Sequence, residues 1–289
     1  MDVGIITEEK DWITSSLERE LLKNNIKPLY IQPSKIASYT NSKTMFEYGN
    51  YKLLNLKCAF VRNLGDESKY HRFDILKFLE EYVPLINPLN SIEKAANKYI
   101  TSMILDKNKL PNPKTMITED IDKALMWSEK FGDCVVKPLF GNRGKGIIRL
   151  GKKPMLNKIE MLKKFKKQYG VFYVQEFIHN PDNVYSDIRV FVVGDEVICA
   201  MNRTSNNWVT NIYQDGIGTP CKVNKNIEKL AIKGLKSLGL IYGGVDLMNS
   251  KEGLKIIEIN GTPSWETISK VNNINITEKI VNYMLEKYL

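Results

Sequence analysis

Gly243-Gly244-Val245-Asp246-Leu247-Met248 and Lys255-Ile256-Ile257-Glu258-Ile259-Asn260 are two apolar runs parted by turn residues at 249–253, and each carries a carboxylate in its interior. Their composition and the turn between them predict two strands of a hairpin. Period-two alternation puts Ile256, Glu258 and Asn260 on one face, with Glu258 and Asn260 about 7 Å apart along the strand. Asp246 lies on the partner strand. Carboxylates on adjacent apolar strands are costly unless they pair with cations or bind a metal. Two carboxylates and an amide, with no nitrogen or sulfur ligand, suit a hard cation such as Mg or Mn, completed by water and substrate phosphates. Neutralisation by lysines is the alternative.

Upstream lie candidates for binding the anion that such a cation would accompany. Cys134-Val135-Val136-Lys137-Pro138 is a strand ending in a lysine, and Gly141-Asn142-Arg143-Gly144-Lys145-Gly146 follows it as a glycine-rich loop. Glycines let backbone N–H groups approach an anion, and Arg143 and Lys145 would neutralise phosphate charge. The loop is not a P-loop, because it lacks G-x-x-x-x-G-K-[ST] and joins two strands; alone it reads equally as a hairpin turn. Lys137 is a phosphate contact or a snorkelling edge lysine. Gln175-Glu176-Phe177-Ile178 closes another strand, whose edge can hold an adenine. Asp187-Ile188-Arg189 opens the next, with acid and base at i and i+2 on one face. Asn90-Ser91-Ile92-Glu93 marks a helix start with Asn90 as cap; residues 92, 95, 96, 99 and 103 form its apolar face, and Lys98 falls opposite.

The first ninety residues alternate strand-like segments (3–7, 28–32, 57–62) with helical ones (12–24, 73–82), the pattern of a mostly parallel α/β sheet. Prolines keep 83–88 extended. The 289 residues are 43% hydrophobic and 26% charged, which supports a sizeable core and excludes wholesale disorder. No apolar run approaches the roughly 20 residues of a membrane span, and the N-terminus reads as a strand rather than an export signal. With only His71 and His179, a multi-histidine zinc site is excluded. Cys58, Cys134, Cys199 and Cys221 show no C-x-x-C pair, and three of them sit inside apolar runs and read as buried reduced thiols, which implies a reducing cytoplasm. The net charge of +9 points to an anionic partner, although lysine outnumbers arginine 35 to 7, which an AT-rich genome also produces.

Taken in order, Asn97-Lys98, Val135-Val136-Lys137-Pro138, the 141–146 loop, Gln175-Glu176-Phe177-Ile178, the 187–195 strand, Gly243-Gly244-Val245-Asp246, Ile257-Glu258-Ile259-Asn260 and Gly261-Thr262-Pro263 form a set. The set resembles the ATP-grasp superfamily, and within it the RimK-like ligases that add glutamate or another amino acid to a carboxylate. The resemblance implies an α/β (α+β) ATP-grasp fold. Residues 1–90 would form an N-terminal parallel α/β domain, 91–180 a central subdomain with the glycine-rich loop, and 181–289 a C-terminal subdomain with the metal site.

It further implies that Lys98, Lys137, Gly141, Arg143, Gly144, Lys145 and Gly146 hold the ATP phosphates. The backbone at Gln175, Glu176 and Phe177 would hold the adenine, and Asp187 would reach the ribose. Asp246, Glu258 and Asn260 would bind two Mg or Mn ions. Arg62, in Val61-Arg62-Asn63-Leu64-Gly65, falls with Thr262, Pro263 and Trp265 on the substrate side; Trp265 either stacks on a ring or packs in the core. Arg189 and Arg203 could grip a carboxylate or acyl phosphate in fork geometry. Asn211 would stabilise the tetrahedral intermediate, although Val209 replaces a basic residue of relatives.

The implied reaction makes an acyl phosphate from ATP and an acceptor carboxylate, which an amine then attacks. It needs no side-chain nucleophile, so the shortage of histidine is no obstacle. The 261–266 loop departs from the N-A-S-P-G pattern of the bacterial ribosomal modifier. The archaeal enzymes that add α-linked glutamate to tetrahydromethanopterin or to a glutamylated deazaflavin coenzyme fit better. The expected partners are thus L-glutamate and a small acidic acceptor, with no membrane or nucleic acid, in a homodimer or homotetramer. A ligase acting on a ribosomal or carrier-protein tail is one alternative. A non-catalytic RNA-binding regulator, suggested by Lys163-Lys164-Phe165-Lys166-Lys167, is another.

Overall fold

The computed structural model describes residues 2–41, 43–65, 69–141, 144–181, 185–208 and 216–289. Four parallel strands open the chain, in the order Leu29–Ile31, Val3–Thr7, Cys58–Asn63, Leu85–Ile86. Val3–Thr7 is buried along its whole length, as expected for a parallel strand covered on both faces. Helix Trp12–Lys23 packs on it through Ile13, Leu17 and Leu21, and starts at a reciprocal cap between Asp11 and Thr14. A three-stranded antiparallel sheet, Ile36–Asn41, Lys43–Tyr48 and Tyr51–Lys52, has no counterpart in the sequence reading. Ile36 is the only buried residue of its first strand, so the apolar alternation is nearly absent there.

The helix expected to run from Asn90 through Met103 is two helices, Leu89–Ala96 and Lys98–Lys107. Pro88, not Asn90, precedes the first. The break falls at Asn97, whose side-chain oxygen accepts from the N–H groups of Tyr99 and Ile100, both at 3.1 Å. Lys98 therefore occupies the first turn of the second helix, beside the chain at Leu139, rather than the back of one long helix.

A central antiparallel sheet follows, in the order Ile148–Arg149, Cys134–Lys137, Phe172–Glu176, Thr115–Thr118. Cys134, Val136, Leu150, Phe172 and Val174 pack with Ala124, Leu162 and Phe165 of helices Ile121–Phe131 and Met155–Tyr169. Alternation leaves Val135, Lys137, Tyr173 and Gln175 on the opposite face.

The last sheet is five-stranded and antiparallel, in the order Ile217–Pro220, Glu196–Ser205, Tyr185–Val193, Tyr242–Ser250, Gly253–Asn260. Val190, Val245, Leu247, Ile256 and Ile259 form its core face, against helix Lys225–Ser237. Ile256 thus does not share a face with Glu258 and Asn260. The ladder pairs Asp246 with Glu258 but Leu247 with Ile256, so Ile257 is bulged. One extra residue reverses the alternation, burying Ile256 and leaving Glu258 on the face of Asp246.

The N-terminal sheet is tied to this one by Asn87, which is fully buried. Its amide donates to the carbonyls of Tyr242 (2.8 Å) and Gly261 (2.7 Å) and accepts from the N–H groups of Ile241 (2.7 Å) and Tyr242 (3.0 Å). Cys58, Cys134 and Cys199 are buried and unpaired as expected, and burial pushes each thiol up to about 12. Among the described residues no helix is long and apolar enough to cross a membrane.

Candidate active site

The polar face of the five-stranded sheet and the lysine-bearing face of the central sheet meet at a cluster of charges. Arg189 grips Asp246 with its Nε and, at 2.8 Å, its Nη2. Arg203 Nη2 lies 2.8 Å from the same carboxylate, and Arg203 Nε donates to Asp187 at 2.5 Å. The ladder explains the cluster: Arg189 stands opposite Asp246, and Asp187 opposite Arg203. Gly244 makes room, because a Cβ there would lie 3.0 Å from Arg189 Cδ. Burial alone would raise the Asp246 carboxyl, but the Arg189 and Arg203 guanidiniums outweigh it and hold the group below its ordinary range.

This alters the roles available to three residues. Arg189 and Arg203 are not idle forks awaiting an acyl phosphate; both are spent on carboxylates. Asp187 is buried against Arg203 rather than standing open for a ribose. Asp246 has about four lone-pair sites and three N–H contacts, which leaves it little to offer a cation.

Glu258 differs. It makes no hydrogen bond among the described residues, and its nearest cation is Lys98 Nζ at 3.9 Å. Beside it the buried Asn260 Nδ2 has no acceptor. A half-buried carboxylate, an orphaned amide and a partly committed Asp246 form an incomplete oxygen shell. Among the described residues no cluster of three or more His, Cys, Asp or Glu makes a full cage. Such a shell fits Mg, which keeps waters and shares substrate phosphates.

Two lysines face the carboxylates. Lys98 Nζ donates to the Gly141 carbonyl at 2.8 Å, anchoring the base of the glycine-rich loop. Gly141, Gly144 and Gly146 all have positive φ, and a Cβ on Gly146 would sit 2.1 Å from the Tyr169 hydroxyl, so the loop requires glycine there. Lys137 donates to Gln175 Oε1 at 2.6 Å. Burial pushes its ammonium down to about 8, against the pull of Glu258 and with the help of Lys98.

Gln175 is itself buried, and its Nε2 donates to the Tyr173 hydroxyl (2.8 Å), which lies 2.8 Å from Ser102 Oγ. Its side chain is thereby committed to Lys137 and Tyr173. Tyr173 and Ser102 were not legible as site residues; their one sequence signal is that Tyr173 and Gln175 alternate on the strand beside Lys137. Glu176 pairs with Lys255 at 2.8 Å. The N–H of Glu176 donates to Lys114 and that of Phe177 to Asp133, so this segment has no free donor at those two positions.

Arg62 ends a parallel strand, with Nη1 on the Tyr242 hydroxyl (3.2 Å), Nη2 on the Pro263 carbonyl (2.8 Å) and a buried Nε without an acceptor. No carboxylate pairs with it among the described residues. Trp265 lies 4.8 Å beneath the guanidinium, is fully buried and donates to Thr277 at 2.9 Å. With no exposed surface, Trp265 cannot stack on a substrate; it supports Arg62 from the core. Thr262 is exposed beside Pro263. Arg143 and Asn211 lie outside the described residues.

Residues 95–284 match the model of the RimK-like ATP-grasp domain. The chain belongs to the RimK-like ATP-grasp family. It is an ATP-dependent ligase. It is 49% identical over 286 residues, 99% of this chain and 98% of the relative, to a tetrahydromethanopterin:alpha-L-glutamate ligase of Methanococcus maripaludis. A ligase of the same name from Methanocaldococcus jannaschii is 44% identical over 288 residues, 99% of each chain. The fold is similar to that of the ATP-grasp ligase PsnB, solved with minimal precursor, Mg and ADP, at a TM-score of 0.76 and 16% identity, covering 98% of this chain and 97% of that one.

Proposed function

We propose that this ATP-grasp ligase joins L-glutamate, through its amine, to a terminal carboxylate of tetrahydromethanopterin, in the cytoplasm and as a homo-oligomer. The observation that carries the reading is the 49% identity to a ligase of that name, sustained across 99% of the chain. The acceptor carboxylate attacks the γ-phosphorus of ATP, and ADP leaves. The glutamate amine then attacks the acyl carbon, loses a proton, and phosphate departs with one oxygen of the original carboxylate.

The chain contributes position and charge. Lys98 and Lys137 bind the polyphosphate, with the backbone of the 141–146 loop over it and Gln175 aiming Lys137. The 176–178 segment holds the adenine, and Asp187, itself held by Arg203, lies on the ribose side without a direct contact. Glu258, Asn260 and the remaining oxygen lone pair of Asp246 hold Mg or Mn, with two ions expected. A metal held there would supply charge neutralisation for the phosphoryl group being transferred. Arg189 and Arg203 hold Asp246 in place, and Arg62, unpaired among the described residues, receives a substrate carboxylate next to Thr262 and Pro263. Arg143 and Asn211 complete the set.

The protein is tested by incubation with Mg-ATP, glutamate and a panel of acceptors, including tetrahydromethanopterin, the glutamylated deazaflavin and a protein tail. One glutamyl addition to tetrahydromethanopterin, at the highest kcat/KM of the panel, is expected. Preference for either other acceptor would overturn the reading.

Lys137 supplies a pH test. Its ammonium, lowered to about 8 in the free enzyme, is charged below that pH and neutral above it. kcat/KM for ATP, which reports free-enzyme ionisations, is therefore expected to stay level up to pH 8 and fall above it, approaching about tenfold per pH unit. Lys137→Arg keeps its charge and should flatten that limb. A wild-type profile level to pH 9.5 would contradict the assignment.

A further inference from the structure

A cavity of about 1010 Å³ lies at the outer edge of the central sheet, away from the lysines and carboxylates described above. None of Lys98, Lys137, Glu258 or Asn260 lines it. Among the described residues its walls include Arg149 of the edge strand, Lys152 and Lys153 of the next turn, His179 from the segment after Phe172–Glu176, and Trp208 from beyond Glu196–Ser205. Elements from both sheets therefore bound it.

Its charge is one-sided. The carboxylate in the wall, Asp133, is committed twice: Arg149 grips it with Nε (3.0 Å) and Nη2, and His179 Nε2 lies 3.0 Å away. Burial would raise Asp133, yet Arg149 and His179 hold it below its ordinary range, so it stays ionised and neutralises Arg149. Lys152 and Lys153 form no ion pair among the described residues, leaving the cavity net positive. Arg149 is also fixed in plane, its guanidinium 3.6 Å from the Phe177 ring. The Phe177 ring centroid is in turn 5.0 Å from His179 and 6.1 Å from Trp208. The wall is thus a row of pre-positioned aromatic and guanidinium planes beside two unneutralised ammonium groups. Planar faces favour ring stacking, and the lysines favour an anion.

We infer that this cavity binds the body of the acceptor, its planar ring stacked near Trp208 and an anionic substituent at Lys152 and Lys153, while the reacting carboxylate reaches the metal side. The inference rests on the acceptor reading above. It also says what that reading leaves open: how the ligase recognises the part of the acceptor that does not react. The lysines proposed for the nucleotide's phosphates lie elsewhere, but the segment proposed for its adenine borders the cavity at Phe177, so the nucleotide is the competing occupant that the ATP KM tests.

The test uses Lys152→Ala/Lys153→Ala and, separately, Trp208→Ala, the lysine pair being at the surface and safe for folding. Wild-type turnover is first measured with tetrahydromethanopterin and the glutamylated deazaflavin. The acceptor that reacts serves as the probe, so a wrong coenzyme assignment leaves the cavity test intact. Each variant is expected to raise the acceptor KM by about tenfold, with KM for ATP and for glutamate unchanged within about twofold. An unchanged acceptor KM would overturn the inference, and so would an equal rise in the ATP KM, which would give the cavity to the nucleotide. If neither coenzyme turns over, equilibrium dialysis with tetrahydromethanopterin decides. Weaker binding to the variants than to the wild type supports the inference; equal binding, or none to any of them, overturns it.

Discussion

Glu258→Ala is expected to lower kcat by about a thousandfold or more, roughly 4 kcal/mol of transition-state stabilisation, while leaving the fold intact. The two halves of that expectation have separate origins. Glu258 makes no hydrogen bond among the described residues and lies 3.9 Å from its nearest cation, so its loss orphans nothing. As the least committed oxygen donor of the proposed metal shell, it is expected to carry most of the metal binding. Calorimetric titration with Mg-ADP should show the same loss without any turnover. Asp246→Asn should lower stability as well as metal affinity, because Asp246 also neutralises both Arg189 and Arg203. If Glu258→Ala keeps its activity, or unfolds as readily as Asp246→Asn, the division between metal ligand and structural carboxylate is wrong.

Arg203→Leu is expected to be the most destabilising of the simple site variants. The guanidinium is buried and serves Asp187 and Asp246 at once. Breaking a buried ion pair from one side costs about 3–5 kcal/mol, because the remaining carboxylate is left under-compensated. For a chain of this size that lowers Tm by roughly 10 °C. The pH dependence has a definite sign. Asp246 is held below its ordinary range, so its pairing stabilises the fold above the unfolded-state pKa and is lost as pH falls through the folded value. Without Arg203 the folded value rises, and acid unfolding should begin at a higher pH than in the wild type. Arg203→Lys keeps the charge but loses the fork and should fall between the two. A Leu variant as stable as the wild type at neutral pH would show that the network contributes nothing.

The site was legible in the sequence wherever local periodicity fixed it. Asp246 and Glu258 could be placed on partner strands of one hairpin because each interrupts an apolar run and a short turn joins them; that they stand directly opposite is a matter of register. Local alternation puts Ile256 on the face of Glu258, whereas the bulge at Ile257, set by ladder register, turns it to the core. Lys98 was placed on one long helix because the break at Asn97 uses a side-chain cap and a nearby chain segment far off in sequence. The commitment of Arg189 and Arg203 was invisible for a related reason: both reach Asp246, on a strand far along the chain that the sheet sets next to the Arg189 strand, with that strand lying between it and the strand of Arg203. Trp265 was left between ring stacking and core, and only packing decides that. Asn87, which binds two sheets together, had no sequence signal beyond the extended segment around it. The fold class needed only the ordered motifs; the electrostatics needed the third dimension.

In the proposed reaction the acceptor carboxylate of tetrahydromethanopterin is activated by phosphorylation and then captured by glutamate. Its most direct test is a reaction with acceptor labelled by ¹⁸O in the terminal carboxylate, Mg-ATP and L-glutamate, with phosphate and product read by mass spectrometry. The expected result is one labelled oxygen in the released phosphate per turnover and a product heavier by one glutamyl residue. Turnover that leaves all the label in the product would contradict the account.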